Sequence, residues 1–345
     1  MSTTAGRETV TSYEGFDFRR AWADRAAVTR AEAHLLATAL GNRRVERLLE
    51  AGTGFGRLSG TLASRTDEYV GADLDATQLA SVPSAVRESR ARDPDLLAVA
   101  NLFHLPFAAA TFRAVVSVRV YHHIRDSAAF LSELARVTEP GGTLVLSYNP
   151  KPTIATLQHD VRGFLDGRPT KITFDRRSVL ECDGGPFPIV VPTIARVRQD
   201  VRDAGFEILR ELAEGPERLA AWVSDSALER SAPDFPASFF FPTRFLVARR
   251  AGNPPGELLP LRSSLACPRC RAPAVPPSLD GPWEWICSAC GQRLALHERL
   301  LAAAYAPAGT EWRRATGSGP GPGSERGSGG GPGESAGNRR TSPTS

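Results

Sequence analysis

Apolar and polar positions change period repeatedly along the first 250 residues. Val45 to Leu49 reads as a short strand, and Leu58, Leu62 and Ala63 then share one face of a helix that Arg57 to Ser64 can form. Tyr69 to Asp73 is a second strand and Ala114 to Val118 a later one. Glu133 to Val137 reads as helix, and Pro140-Gly141-Gly142 turns the chain into a further strand from Thr143. Gly205 to Leu209 and Arg244 to Ala248 supply the last strands. Ahead of them all, Trp22, Ala26, Ala33, Leu36 and Leu40 recur at helical spacing within Phe16 to Leu40 and predict one or two capping helices. Strands alternating with helices predict an α/β fold.

The densest signal is Glu50-Ala51-Gly52-Thr53-Gly54-Phe55-Gly56-Arg57, followed by a strand that ends on Asp73. The order is strand, glycine turn, helix, strand, acid. Glycine lets a ligand approach the backbone because no Cβ stands in the way, and an acid at the end of the second strand suits a ribose diol. A dinucleotide site uses G-x-G-x-x-G, whereas here Gly52, Gly54 and Gly56 give G-x-G-x-G and Arg57 holds the later glycine's place. Glu50 would repel a pyrophosphate but can hold an ammonium. The register therefore favours S-adenosyl-L-methionine over NAD.

Several further segments follow in order. Leu105-Pro106-Phe107 precedes the strand at Ala114, Val120-Tyr121-His122-His123-Ile124 follows it, and Glu133-Leu134-Ala135-Arg136-Val137 leads into Pro140-Gly141-Gly142-Thr143-Leu144. From Leu48 to Ser147 the chain resembles the class I S-adenosylmethionine-dependent methyltransferases with a type 11-like domain. The resemblance implies a doubly wound, seven-strand Rossmann-like sheet. It also implies that Glu50, Gly52, Gly54, Gly56, Asp73, Leu74, Asn101 and Leu102 line the cofactor. Two positions depart from the family: Asn101 stands where an acid is usual near the adenine, and Arg113 follows Phe112 where Asp is usual.

Five cysteines add a second, independent motif. Cys267-Pro268-Arg269-Cys270 and Cys287-Ser288-Ala289-Cys290 are separated by sixteen residues, a spacing that suits four thiolates on zinc. The segment resembles a zinc ribbon, with Pro268 and Gly291 at the knuckle turns and Trp283 to Ile286 as a strand. Four protein ligands leave no open position, so the metal is expected to be structural. Trp283 and Trp285 are aromatic enough to stack on bases, or to pack beneath the knuckles.

Length and composition bound the organisation. With 345 residues and 41% hydrophobic content, the chain can bury one α/β core and a second small unit. The expected divisions are a helical cap at 1–40, a methyltransferase domain at 41–250 with a substrate-side insertion at 150–204, a zinc-ribbon-like module at 262–305 and a disordered Gly/Ser/Pro-rich tail at 316–345. The net charge is +4, yet all but Lys151 and Lys171 of the 42 basic residues are scattered arginines, which argues against a nucleic-acid stripe. Met1 to Arg20 is polar and no stretch has the length of a membrane span, so a cytoplasmic protein without membrane contact is expected.

Tyr121, His122 and His123 are the candidates for proton transfer to or from an acceptor, Tyr121 and His123 foremost; Cys182 beside Asp183 reads as a loop cysteine. The expected function is methyl transfer to a small metabolite or an RNA base. The alternative is an inactive methyltransferase-fold binding protein whose ribbon recruits a protein or nucleic-acid partner.

Overall fold

A computed structural model describes residues 9–12, 17–150, 180–182, 189–214, 230–231, 243–254, 256–305 and 311–314. Most of the expected insertion, the glycine- and proline-rich run 183–188, Phe239 to Phe241 and the tail from Thr316 lie outside the described residues.

The cap comprises α1 (Phe18–Trp22) and α2 (Ala26–Leu40). The central α/β unit then runs β1 (Val45–Ala51), α3 (Ser59–Ala63), β2 (Thr66–Asp73), α4 (Ala76–Leu79), α5 (Val82–Glu88), β3 (Leu96–Val99), β4 (Phe112–Ser117), α6 (Ser127–Val137), β5 (Thr138–Tyr148), α7 (Ile194–Asp203), β6 (Phe206–Glu214) and β7 (Thr243–Arg250). In the sheet these strands lie in the order β6-β7-β5-β4-β1-β2-β3. β1 to β5 are parallel, and β7 runs antiparallel between β5 and β6. The order reverses at β1, whose neighbours are β4 and β2. That reversal is a topological switch point, where carboxyl-end loops diverge and leave a crevice.

The period-two alternation of a strand buried on both faces explains the central strands. Leu48 and Leu49 are both fully buried but belong to opposite faces: Leu48 packs with Leu35, Leu36 and Leu62, and Leu49 with Val70, Val115 and Leu134. α2 covers the first face and α6 the second. Asp75 and Asp126 end the approaches to α4 and α6 as N-caps, accepting from Thr77 N at 2.8 Å and Ala129 N at 2.9 Å.

The α/β unit has the expected seven strands, but the sheet does not end with them, which corrects the strand count. The C-terminal module contributes β8 (Trp283–Ile286), β9 (Arg293–His297) and β10 (Leu300–Ala302), and β10 pairs in parallel with β3, so one sheet of eleven strands runs through both units. A two-residue strand, Arg230–Ser231, lies outermost beyond β6. In the seven-strand arrangement β3 would expose a row of unpaired N–H and C=O groups; β10 covers it. The module also joins the core, with Leu265, Leu294, Leu296 and Leu301 buried in the same cluster as Leu49 and Val70. Trp283 and Trp285, 6.2 Å apart with rings nearly parallel, pack against that cluster, leaving Glu284 and Ile286 exposed. The tryptophans therefore serve packing.

Two charged residues brace the assembly. Glu133 on α6 is buried; its Oε1 accepts from Leu105 N at 2.7 Å, and its Oε2 meets Arg136 at 2.8 Å and Arg271 of the module at 3.0 Å. Arg113, the departure at the start of β4, pairs with Glu46 at 3.0 Å and with Glu139, and donates to Gly256 O. It sits at the amino end of β4, away from the crevice, as a surface brace. Removing Glu133 would leave two guanidinium groups without their carboxylate and a buried amide without its acceptor. Glu133→Ala is expected to lower the unfolding free energy by about 3 kcal/mol, read as a shifted urea midpoint.

Candidate functional site

The crevice at the carboxyl ends of β1 to β4 opens into a cavity of about 190 Å³. Its floor is the loop after β1. Gly52 N and Thr53 N both donate to Ala72 O, at 2.8 and 3.1 Å, which ties the turn to the end of β2. Gly52 and Gly54 border the cavity with φ of +85° and +55°. A Cβ on Gly52 would stand 2.1 Å from Val120 Cγ2, so the glycine is required by close approach as well as by backbone conformation.

Gly56 plays a different part from the one expected. It does not border the cavity; a Cβ there would stand 3.1 Å from Val82 Cα, so its absence lets α5 pack against the loop. This is the helix-packing role of a third glycine.

Asp73 closes β2 at the cavity wall. One of its oxygens accepts from Gly54 N at 2.7 Å and the other from Asp75 N at 3.0 Å. Burial raises its pKa, and these backbone bonds oppose the shift. A carboxylate offers about four lone-pair sites, so its backbone bonds leave acceptor capacity for a diol.

Glu50, buried at the end of β1, accepts from Ser59 Oγ at 2.6 Å and from Tyr69 OH. Desolvation raises its pKa to about 7, against the lowering effect of those bonds and of nearby Arg57. It borders the cavity as a carboxyl group poised between its two protonation states at neutral pH.

Leu74, Asn101 and Leu102 also border the cavity. Asn101, expected to line the cofactor where an acid is usual, has its amide engaged within the protein: Nδ2 donates to Tyr305 O at 3.0 Å, and Oδ1 accepts from Phe103 N at 3.1 Å. The side chain thus organises the wall and joins it to the C-terminal module.

The histidine segment divides. His123 borders the cavity, and desolvation lowers its pKa to about 3, which keeps the imidazole neutral. The His122 ring lies 3.9 Å from it, centroid to centroid, tilted by 52°, and is likewise held neutral by burial. Tyr121 does not border the cavity. It is buried beside Phe130, donates to Asp200 Oδ2 at 3.1 Å, and has its pKa raised by burial, which corrects the expectation of a catalytic Tyr121.

The helical cap is expected from the sequence, but the charged cluster that fastens it is not. Glu32 of α2 is fully buried and pairs with Arg57 of the glycine loop and with Arg119 beyond β4, the latter at 2.6 Å. The Arg57 guanidinium lies 3.9 Å from the Trp22 ring centroid, and that of Arg119 5.6 Å. Phe18 and Trp22 border the cavity, so the cap does cover it, fastened through these ions. The visible clue was Arg57 in the place of a glycine.

The four cysteines converge in the module. Their Sγ atoms all lie within 4.8 Å of one another, with Cys267–Cys290 at 3.5 Å and Cys270–Cys287 at 3.4 Å. A tetrahedral zinc with bonds of about 2.3 Å places sulfurs about 3.8 Å apart, so the set fits. Both knuckles close alike: Arg271 N donates to Cys267 O at 2.8 Å and Gly291 N to Cys287 O at 2.7 Å, with φ of +68° and +75°. These separations are far too long for disulfides.

Three comparisons bear on this site. Residues 49–146 match the sequence family described as "Methyltransferase domain". The demethylmenaquinone methyltransferase of Beutenbergia cavernae is 36% identical over 121 residues, 35% of this chain and 48% of that protein. A Mycolicibacterium smegmatis protein named "Probable S-adenosylmethionine-dependent methyltransferase" is 28% identical over 198 residues, 55% of this chain and 66% of its own length. The chain thus spans about half to two thirds of these relatives. Among solved structures, magnesium protoporphyrin IX methyltransferase from Synechocystis, with bound S-adenosylhomocysteine, shares 20% identity at a TM-score of 0.45, covering 68% of this chain and 92% of that one. No described helix is long and apolar enough to cross a membrane.

The Glu50 shift sets a direction for pH. Because its pKa in the folded protein lies above the unfolded value, its stabilising contribution is complete below about pH 4.5 and is lost as pH rises to about 7. Relative to Glu50→Gln, the wild-type unfolding constant should grow up to about tenfold per pH unit across that window, measured by urea unfolding.

Proposed function

We propose, of a chain whose residues 49–146 are a methyltransferase domain, that it transfers a methyl group from S-adenosyl-L-methionine to a small-molecule acceptor. The observation that carries this reading is the pairing of Gly54 N with Asp73 in a crevice floored by positive-φ glycines, over the same residues as the family match. Asp73 would accept the ribose hydroxyls, Glu50 would hold the ammonium, and Leu74 and Leu102 would flank the base. When bound, the cofactor supplies a methyl group on a positively charged sulfur.

The chain's part is to position and to exclude water. Phe18 and Trp22 close the cavity over the loop, and His123 borders it from the β4 side. Holding two reactants in line can remove about 7–11 kcal/mol of barrier without a dedicated acid or base. A neutral His123 can orient an acceptor by hydrogen bonding, but at a pKa of about 3 it is a weak base.

A small-molecule acceptor is favoured over RNA by the module's position. β10 docks beside β3, whereas the cap and His123 lie across β1 on the β4 side. Trp283 and Trp285 are spent on packing. The name of the Beutenbergia relative, which specifies a small molecule, agrees with this choice. Cys267, Cys270, Cys287 and Cys290 would hold zinc in a structural role.

Calorimetric titration with S-adenosylhomocysteine tests the cofactor. Micromolar binding is expected, weakened about 10- to 100-fold in Asp73→Ala, with none for NADH. Absence of binding to the wild-type, zinc-replete protein would sink the reading in favour of an inactive binding protein.

Binding should also respond to pH. An ammonium beside Glu50 favours its ionised form, so affinity should rise several-fold between about pH 6 and pH 8. Glu50→Gln should flatten that rise, and buffer-dependent heats should show proton release only in the wild type.

A further inference from the structure

The segment between β3 and β4 supplies the wall of the crevice with Asn101, Leu102 and Phe103. It has no regular structure of its own until β4, and the C-terminal module grips it at both ends. At its start, Leu97 N donates to Arg299 O at 2.8 Å, Ala303 N donates to Val99 O at 3.0 Å, and Asn101 Nδ2 donates to Tyr305 O at 3.0 Å. At its far end, Ala266 N donates to Pro106 O at 3.0 Å and Ala108 N to Ser264 O at 2.8 Å. Between these points Arg271 donates to Leu105 O at 2.9 Å while pairing with Glu133, and the Tyr305 ring meets His104 edge-on at 5.1 Å.

The two grips belong to different knuckles. Cys267 and Cys270 are continuous with Leu265 and Ala266, which hold residues 106–108, and Cys287 and Cys290 lead into β9 and β10, which hold β3. The close sulfur pairs, Cys267 with Cys290 and Cys270 with Cys287, each cross from one knuckle to the other. A metal bound there fastens the two grips to each other. A module this small depends on its metal for folding.

We propose that the metal-loaded module is a clasp for the cofactor wall, so that occupancy of the four-thiolate site sets the affinity for S-adenosylmethionine, with the Arg271 side chain, which holds Leu105 O from outside the cavity, as a positioning residue. The inference rests on the cofactor reading above. Loss of the metal frees both ends of residues 100–108, and Asn101 loses the carbonyl that fixes its amide. The opposite face of the sheet, built on Leu48, Leu62, Tyr69 and Val116, contains few residues of the module's surroundings and keeps its packing. The expected response is local opening at one edge of the sheet.

The test compares the full chain with zinc, after chelation, and after zinc is restored. Chelation is expected to weaken S-adenosylhomocysteine binding at least tenfold and reversibly, and to speed amide exchange at Leu97, Phe103 and Leu105 while Leu49 and Val145 stay protected. Arg271→Gln, which removes the guanidinium contact to Leu105 O, should retain one zinc per chain, yet bind the same ligand several-fold more weakly. Equal affinity with and without zinc overturns the clasp while leaving the cofactor reading intact. If the zinc-free chain unfolds altogether, Arg271→Gln decides: unchanged affinity with zinc retained overturns the proposal. Failure of the zinc-loaded wild type to bind overturns the cofactor reading and the inference together.

Discussion

The hydrogen bond from Gly54 N to Asp73, at 2.7 Å, joins the loop after β1 to the end of β2 across the floor of the crevice. It is possible because β1 and β2 are parallel neighbours, which brings their carboxyl ends side by side, and because Gly52 and Gly54 accept positive φ. The carboxylate fixes the loop, and the loop's N–H groups keep the carboxylate from being a bare buried charge. Other groups of the site gather around this pair: Glu50 on the neighbouring strand opposite Gly71, Val120 pressed against Gly52, and α5 seated on Gly56. A change at any of these would be felt first as a displaced Asp73.

Much of this was legible in the chain because the relevant contacts are local. The turn and its acids lie within one strand-helix-strand unit, and the cysteine pairs announce their geometry by spacing. Tyr121 and His123 show where that ends: two residues apart, they fall on opposite sides of the crevice wall, and only packing of Tyr121 on Phe130 and Asp200 decides which is inside. Asn101 shows the same limit, since its partner Tyr305 is remote in sequence. Glu32 was invisible for a further reason. A glutamate on an amphipathic helix reads as solvated until two arginines from other elements bury it.

That buried cluster makes the cap more than a cover. Two cations share one carboxylate beneath an indole ring, so the roof is locally positive beside a floor that carries Glu50 and Asp73. Charge separation of this kind orients a zwitterion. A ligand with an ammonium at one end and a carboxylate at the other is matched to the gradient, and a uniformly anionic one is opposed on the floor.

The pairing of β10 with β3 also has a cost in time. Leu97 and Leu300 must meet although about two hundred residues separate them, so this join closes late, after contacts within the α/β unit have formed. Until then β3 is a bare edge with Leu96, Leu97 and Ala98 open to any other strand, including the same edge of another molecule. Synthesis without enough metal would prolong that interval, and the harm would appear as aggregation during production rather than as a defect in the finished protein.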